Sequence, residues 1–178
     1  MQFSPSTEAN LNRSVHQWQK AANPELIEFI LERYHAVHRQ QLPEAILLAR
    51  RVEQAHGGEA HCPDGLAEHL TAMFQELESH MMKEEQILFP MLAGESYPQG
   101  PIMVMESEHD DHELAVQQIL ALTDNLRLPS GACGTWRALY QLLGELVADV
   151  RAHIELESRV LFVPEEQLAG QCCGSCGG

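Results

Sequence analysis

Cations are scarce in this 178-residue chain. Lys and Arg total 11 against 26 Asp and Glu, a formal charge of −15. Phosphate contacts need clustered positive charge, so this balance excludes a nucleic-acid binder and an anionic-membrane binder. No apolar run reaches the roughly 18 residues needed to cross a bilayer, and the opening MQFSPSTEAN lacks a basic-then-apolar signal pattern. The expectation is a soluble cytoplasmic protein with neither membrane nor nucleic acid among its partners. Aromatic residues are few, and no stretch alternates with the period of two that marks a strand. Of the five cysteines, Cys62 and Cys133 stand apart in the body of the chain, while Cys172, Cys173 and Cys176 crowd its end. That is no regular disulfide framework, and the thiols read as reduced.

Enough apolar residues (44%) remain for a packed core, and they fall with helical periodicity. The chain reads as all-α, an antiparallel four-helix bundle over residues 24–168. An N-terminal extension (1–23) precedes it and a flexible Cys-rich tail (169–178) follows. Asn23-Pro24-Glu25 is a helix start. That helix is expected to reach Gln40, and a second to run from Pro43 to His56, the two packing as one unit kinked across Leu42-Pro43. A third runs from Pro63 to Leu92, a fourth from Pro101 to Asp124, and a fifth from Cys133 to Phe162, ahead of Pro164.

Ten histidines are what the sequence has in unusual number. The third helix carries an inward stripe Leu66, Leu70, Met73, Leu77, His80, Glu84, Ile87, Met91, stepping by fours and threes as a buried seam does. The fifth repeats it with Trp136, Leu139, Leu143, Leu146, Val150, His153, Glu157, Val160. The fourth places His109 and His112 on its stripe, the second His56, and the first His35 and His38. A buried ionised Glu without a partner costs several kcal/mol or takes up a proton. Two such acids among up to five imidazoles share one simple explanation, a cation. His80-x-x-x-Glu84 with Leu88 and Phe89 matches His153-x-x-x-Glu157 with Leu161 and Phe162 at identical offsets, which marks an internal repeat. Seven ligands are too many for one ion, so two metals are expected, with the carboxylates bridging and the imidazoles outside. Nitrogen and oxygen donors without thiolate suit iron, and the same donor types also serve manganese or zinc. His38 and His112, one turn from these positions, are expected to support the ligands or to lie at the surface.

These stretches resemble the hemerythrin-like di-iron proteins, and within them the repair-of-iron-centres group. The resemblance rests on Tyr34-His35-Ala-Val-His38-Arg39-Gln-Gln-Leu42-Pro43, on Val52-Glu-Gln-Ala-His56 and on Glu76-Leu-Glu-Ser-His80-Met-Met-Lys-Glu84-Glu-Gln-Ile-Leu-Phe-Pro90. It continues through Met105-Glu-Ser-Glu108-His109-Asp110, Ala132-Cys133-Gly-Thr-Trp136 and His153-Ile-Glu-Leu-Glu157. It implies two non-haem iron ions, oxo- or hydroxo-bridged, held by His35, His56, His80, His109 and His153 with Glu84 and Glu157 as bridges. Glu76 and Glu108 would line a route to the metals. The implied function is repair of iron–sulfur clusters damaged by nitric oxide or oxidative stress, or iron delivery to them. Nitric oxide or O2 would be small ligands and damaged iron–sulfur proteins the clients. The rival readings are a nitric oxide or O2 sensor or scavenger, and a nitric oxide reductase. Longer members carry an N-terminal cysteine pair, where this sequence has 23 unmatched residues. Val163-Pro164-Glu165 and the Cys-rich tail also depart from the family pattern.

Overall fold

The computed structural model describes Val15, residues 17–94 and residues 97–164. The Cys-rich tail and most of the N-terminal extension lie outside the described residues. Four helices make up the body. Helix α1 starts at Asn23–Ile30, passes through a π-helical turn at Leu31–His35, and continues as Ala36–His56. Helix α2 comprises Leu66–Lys83, a π-helical turn at Glu84–Leu88, and Phe89–Ala93. Helix α3 is Gln99–Leu122. Helix α4 is Gly134–Leu156, ending in a π-helical turn at Glu157–Leu161. The helices form a closed ring in which α1 packs on α2 and α4, and α3 packs on the same two. Short connections make chain neighbours antiparallel, which is the expected bundle.

One expectation changes. The first two expected helices are a single one, with Pro43 inside it. An interior proline removes one backbone hydrogen bond. Burial of Leu42, Ala45, Ile46, Ala49 and Val52 along the same face outweighs that loss and carries the helix through. The turn before α2 needs Gly65, whose φ of +86° disfavours a side chain.

Three of the four helices carry a π-helical turn, and the turn in α2 shifts the buried face. The sequence stripe places Ile87 and Met91 inward. In the structure Ile87 is 54% exposed, while Leu88, Phe89 and Leu92 are buried. A π-helical turn inserts one residue into the α-helical count. The inward face therefore advances by one position after Glu84, and Ile87 moves to the surface.

The apolar core is divided. One cluster, from Leu42 and Leu66 to Leu139 and Val150, fills the longer end of the bundle. The other joins Leu26, Ile30, Tyr34, Leu88, Phe89, Ile102, Met105, Leu161 and Phe162 at the opposite end, with Val15 packed into it. Between the two, every helix turns polar side chains inward.

Candidate metal centre

The polar layer is built from His35 and His38 on α1, His80 and Glu84 on α2, His109 and His112 on α3, and His153 and Glu157 on α4. All eight are buried. The potential ligand atoms fall into two quartets, each with its atoms within 4.8 Å of one another: His35, Glu84, His153, Glu157 and His80, Glu84, His109, Glu157. Both glutamates belong to both quartets, and each divides its oxygens between them. Glu84 turns Oε2 to Nε2 of His35 and Oε1 to Nε2 of His80, both at 3.3 Å. Glu157 turns Oε1 to Nε2 of His153 and Oε2 to Nε2 of His109, both at 3.2 Å.

These approaches are not hydrogen bonds. All four carboxylate oxygens, with Nε2 of His80 and of His109, are buried without a hydrogen-bond partner. Nε2 of His35 and Nε2 of His153 face each other at 3.2 Å. Buried polar atoms are ordinarily paired, and lone pairs pointed at one another are the arrangement a shared cation resolves. The group fits metal binding.

Second partners hold the rings in place. Nδ1–H of His35 donates to Glu85 at 2.8 Å, and Glu85 accepts in turn from Arg39 at 2.9 Å. Nδ1–H of His80 donates to Glu108 at 2.9 Å, and Glu108 also meets Lys83. His109 lies 3.3 Å from the Ser158 hydroxyl. Carboxylate–imidazole pairs of this kind fix the tautomer with Nε2 as the lone-pair atom and raise its basicity. Phe89 stacks on His35 and Phe162 on His109, with ring centres 5.6 and 5.7 Å apart. The repeated Phe therefore plays the same part in both halves of the molecule.

The electrostatics favour a cation. Burial and Glu157 push Glu84 up, but its imidazole neighbours outweigh them and hold it below the ordinary carboxylate value, so it stays ionised. Burial drives His153 well below the usual imidazole value, and drives His38 and His112 down to about 3. Burial also opposes charge on His80, yet Glu84, Glu157 and Glu108 overcome it and raise that ring to about 9. The rings that burial keeps neutral and the ionised Glu84 are donors a metal uses, and a bound cation would displace the extra proton from His80.

Of the seven expected ligands, the structure brings six together and leaves one out. His56 is the last residue of α1, 21 positions beyond His35 on the same helix. At 1.5 Å per residue that separates them by about 31 Å. A break at Pro43 would have let α1 fold back, and there is none. His56 instead bonds Glu59 at 3.0 Å, packs on Trp136 and lies beside Cys133. Glu76 is exposed on α2, away from the layer, whereas Glu108 touches it through His80. Cys62 is half-buried, and burial pushes its thiol up to about 12. Sequence reasoning placed His38 and His112 outside the ligand set, and the structure buries both in the layer. The signal for them is His-x-x-His at both His35 and His109, 74 residues apart, beside the 73-residue repeat of His-x-x-x-Glu.

Residues 26–163 match the family described as Hemerythrin HHE cation binding domain. The chain is 52% identical over 147 residues to the "Iron-sulfur cluster repair protein YtfE" of Edwardsiella ictaluri (strain 93-146), an alignment covering 82% of this chain and 66% of the relative. It is 48% identical over 151 residues to the protein of the same description from Yersinia pseudotuberculosis serotype IB (strain PB1/+), covering 84% of this chain and 68% of that one. The match to the Yersinia pestis (strain Pestoides F) protein has the same identity and extent. The chain thus spans about two thirds of the length of the curated relatives it matches.

Proposed function

The chain belongs to the hemerythrin HHE cation-binding family, and from that premise we propose that the buried layer holds two non-haem iron ions bridged through Glu84 and Glu157. The protein carrying them would repair iron–sulfur clusters damaged by nitric oxide or oxidative stress, or return iron to them. One observation carries the reading: each glutamate offers one oxygen to each quartet, so a single carboxylate reaches two cations at once. The shared description of the relatives as iron-sulfur cluster repair proteins supports the repair role.

When bound, the iron pair supplies redox chemistry, affinity for diatomic ligands such as nitric oxide or O2, and the iron itself. The chain's own residues prepare the place. His35, His80, His109 and His153 present Nε2 lone pairs, and Glu85 and Glu108 hold two of those rings by their Nδ1–H. Phe89 and Phe162 cover the outer faces of His35 and His109 and keep water off them. The apolar clusters above and below seal the layer. The outer edge of His109 reaches a surface recess with Glu106, Asp110, Glu113 and Arg151.

The test loads the purified chain anaerobically with iron(II) and adds it in stoichiometric amount to a nitric-oxide-treated cluster enzyme. Binding of about two irons per chain, one per quartet, and recovery of the client's activity with loaded but not metal-free protein are the expected results. Gas binding without recovery would mark a sensor or scavenger. Turnover with nitrous oxide release would mark a reductase.

A further inference from the structure

His38 and His112 are buried in the layer at 0% and 2% exposure, and each leaves a ring nitrogen without a hydrogen-bond partner. They occupy equivalent places in the two halves, one turn after His35 and one turn after His109. Their neighbours differ in an orderly way. The ring of His38 lies 5.4 Å from that of His153, in the first quartet, and the ring of His112 lies 4.7 Å from that of His80, in the second.

The bonds around His38 identify its free atom. Gln41 donates its amide N–H to Asp149 at 2.8 Å, and Asp149 also accepts from Arg33 at 2.5 Å. That fixes the Gln41 amide with its oxygen toward His38, 3.4 Å from Nδ1. An amide oxygen only accepts, so Nδ1 of His38 carries the proton and Nε2 carries a bare lone pair. On His112 the unpartnered atom is Nδ1. A buried acceptor left unmet costs about 1–3 kcal/mol. Two buried ring nitrogens without a partner, at pseudo-equivalent positions beside two quartets of donors, call for one common partner. A cation satisfies the His38 lone pair directly, and satisfies Nδ1 of His112 when that ring carries its proton on Nε2.

We propose that His38 and His112 are metal ligands, one to each ion of the pair, so that the centre is made of six imidazoles and two shared carboxylates. Each ion then has three imidazoles, from His35, His38 and His153 on one side and from His80, His109 and His112 on the other, with Glu84 and Glu157 common to both. That makes five protein donors per ion and leaves a sixth position for an exogenous ligand. This assignment rests on the dinuclear reading above and replaces His56 by the two histidines that the sequence pattern had set aside.

The measurement is X-ray absorption fine structure on wild-type protein loaded anaerobically with iron(II), joined to metal analysis after dialysis against a weak chelator. Three imidazoles per ion are expected in the wild type. His38→Ala and His112→Ala should each weaken retention of one ion at least about tenfold, and the double variant should show two imidazoles per ion. His56→Ala should retain both ions. A wild-type count of two imidazoles per ion, with two ions bound, overturns this assignment and leaves the dinuclear reading standing. If the wild type retains no metal pair, both fall. The wild-type count needs no variant to fold.

Discussion

Glu84 and Glu157 show how much a single side chain decides here. Each sits four residues after a buried histidine on an otherwise apolar stripe, and each is fully buried. Their cost is met only if something positive stands between them, and imidazole alone leaves all four oxygens unpaired. The residues next to them matter nearly as much. Glu108 holds His80 by Nδ1–H while pairing with Lys83. Glu108→Gln keeps the shape and one acceptor oxygen but removes the charge that makes the ring a stronger donor. Metal affinity is expected to fall about 10- to 100-fold, read by competition with a chelating dye. Glu76→Gln, on the exposed face of the same helix that carries His80, is expected to leave affinity unchanged. Equal losses in both would show that Glu108 acts through general surface charge.

Among the elements, α2 is the most instructive. Up to Glu84 its buried face follows the α-helical count, and after Glu84 the π-helical turn moves that face on by one residue. The turn lets His80 and Glu84 reach the layer while Leu88, Phe89 and Leu92 still enter the second apolar cluster. Gln86 is an exposed residue within the turn. Deleting it should restore the α-helical count and move Leu88, Phe89 and Leu92 back by one position, so that Leu88 and Leu92 take the inward places an α-helical stripe gives to 87 and 91 and remain in the core. Burial of a large apolar side chain is worth about 1.5–3 kcal/mol, so expelling all three would cost several kcal/mol, and the deletion is expected to lower the midpoint of urea unfolding by far less than that. A drop equivalent to several kcal/mol would show that the second cluster is lost and that the turn is not a one-residue insertion between two aligned faces. A stripe of fours and threes reads the first half of α2 correctly and misplaces Ile87 and Met91, because nothing in local spacing announces an inserted residue.

Over the whole molecule, a polar layer divides two apolar clusters, and this arrangement separates folding from metal binding. The larger cluster spans all four helices, including Val52, Leu70, Ile119 and Leu139, and contains no layer residue. Helical structure should therefore survive removal of the metal, while stability should not stay the same. A ligand that binds only the folded state adds about 2.7 kcal/mol at a hundredfold excess over Kd. Chelation is expected to lower the Tm, and titration of metal back to raise it in a concentration-dependent way, with the far-UV helical signal at 25 °C unchanged throughout. A Tm indifferent to metal would mean that the layer does not bind it in preference to the unfolded chain. Among the described residues no helix is long and apolar enough to cross a membrane.

From its sequence alone the chain determined its class, its helical register over most of its length, and six of the residues that meet in the layer. A His and a Glu at the fourth position onward, set into an otherwise apolar stripe and repeated 73 residues later, are legible because burial makes such a substitution costly wherever it lies. What only the tertiary structure decided was membership of the layer. His56 lies on the same stripe as Ala45, Ala49 and Val52, and periodicity cannot tell it from His35. The uninterrupted run of α1 through Pro43 sends it to the far end of the bundle. His38 and His112 are drawn in because four helices close around one level, and it is the distance along a helix, which a stripe does not encode, that determines which side chains share it.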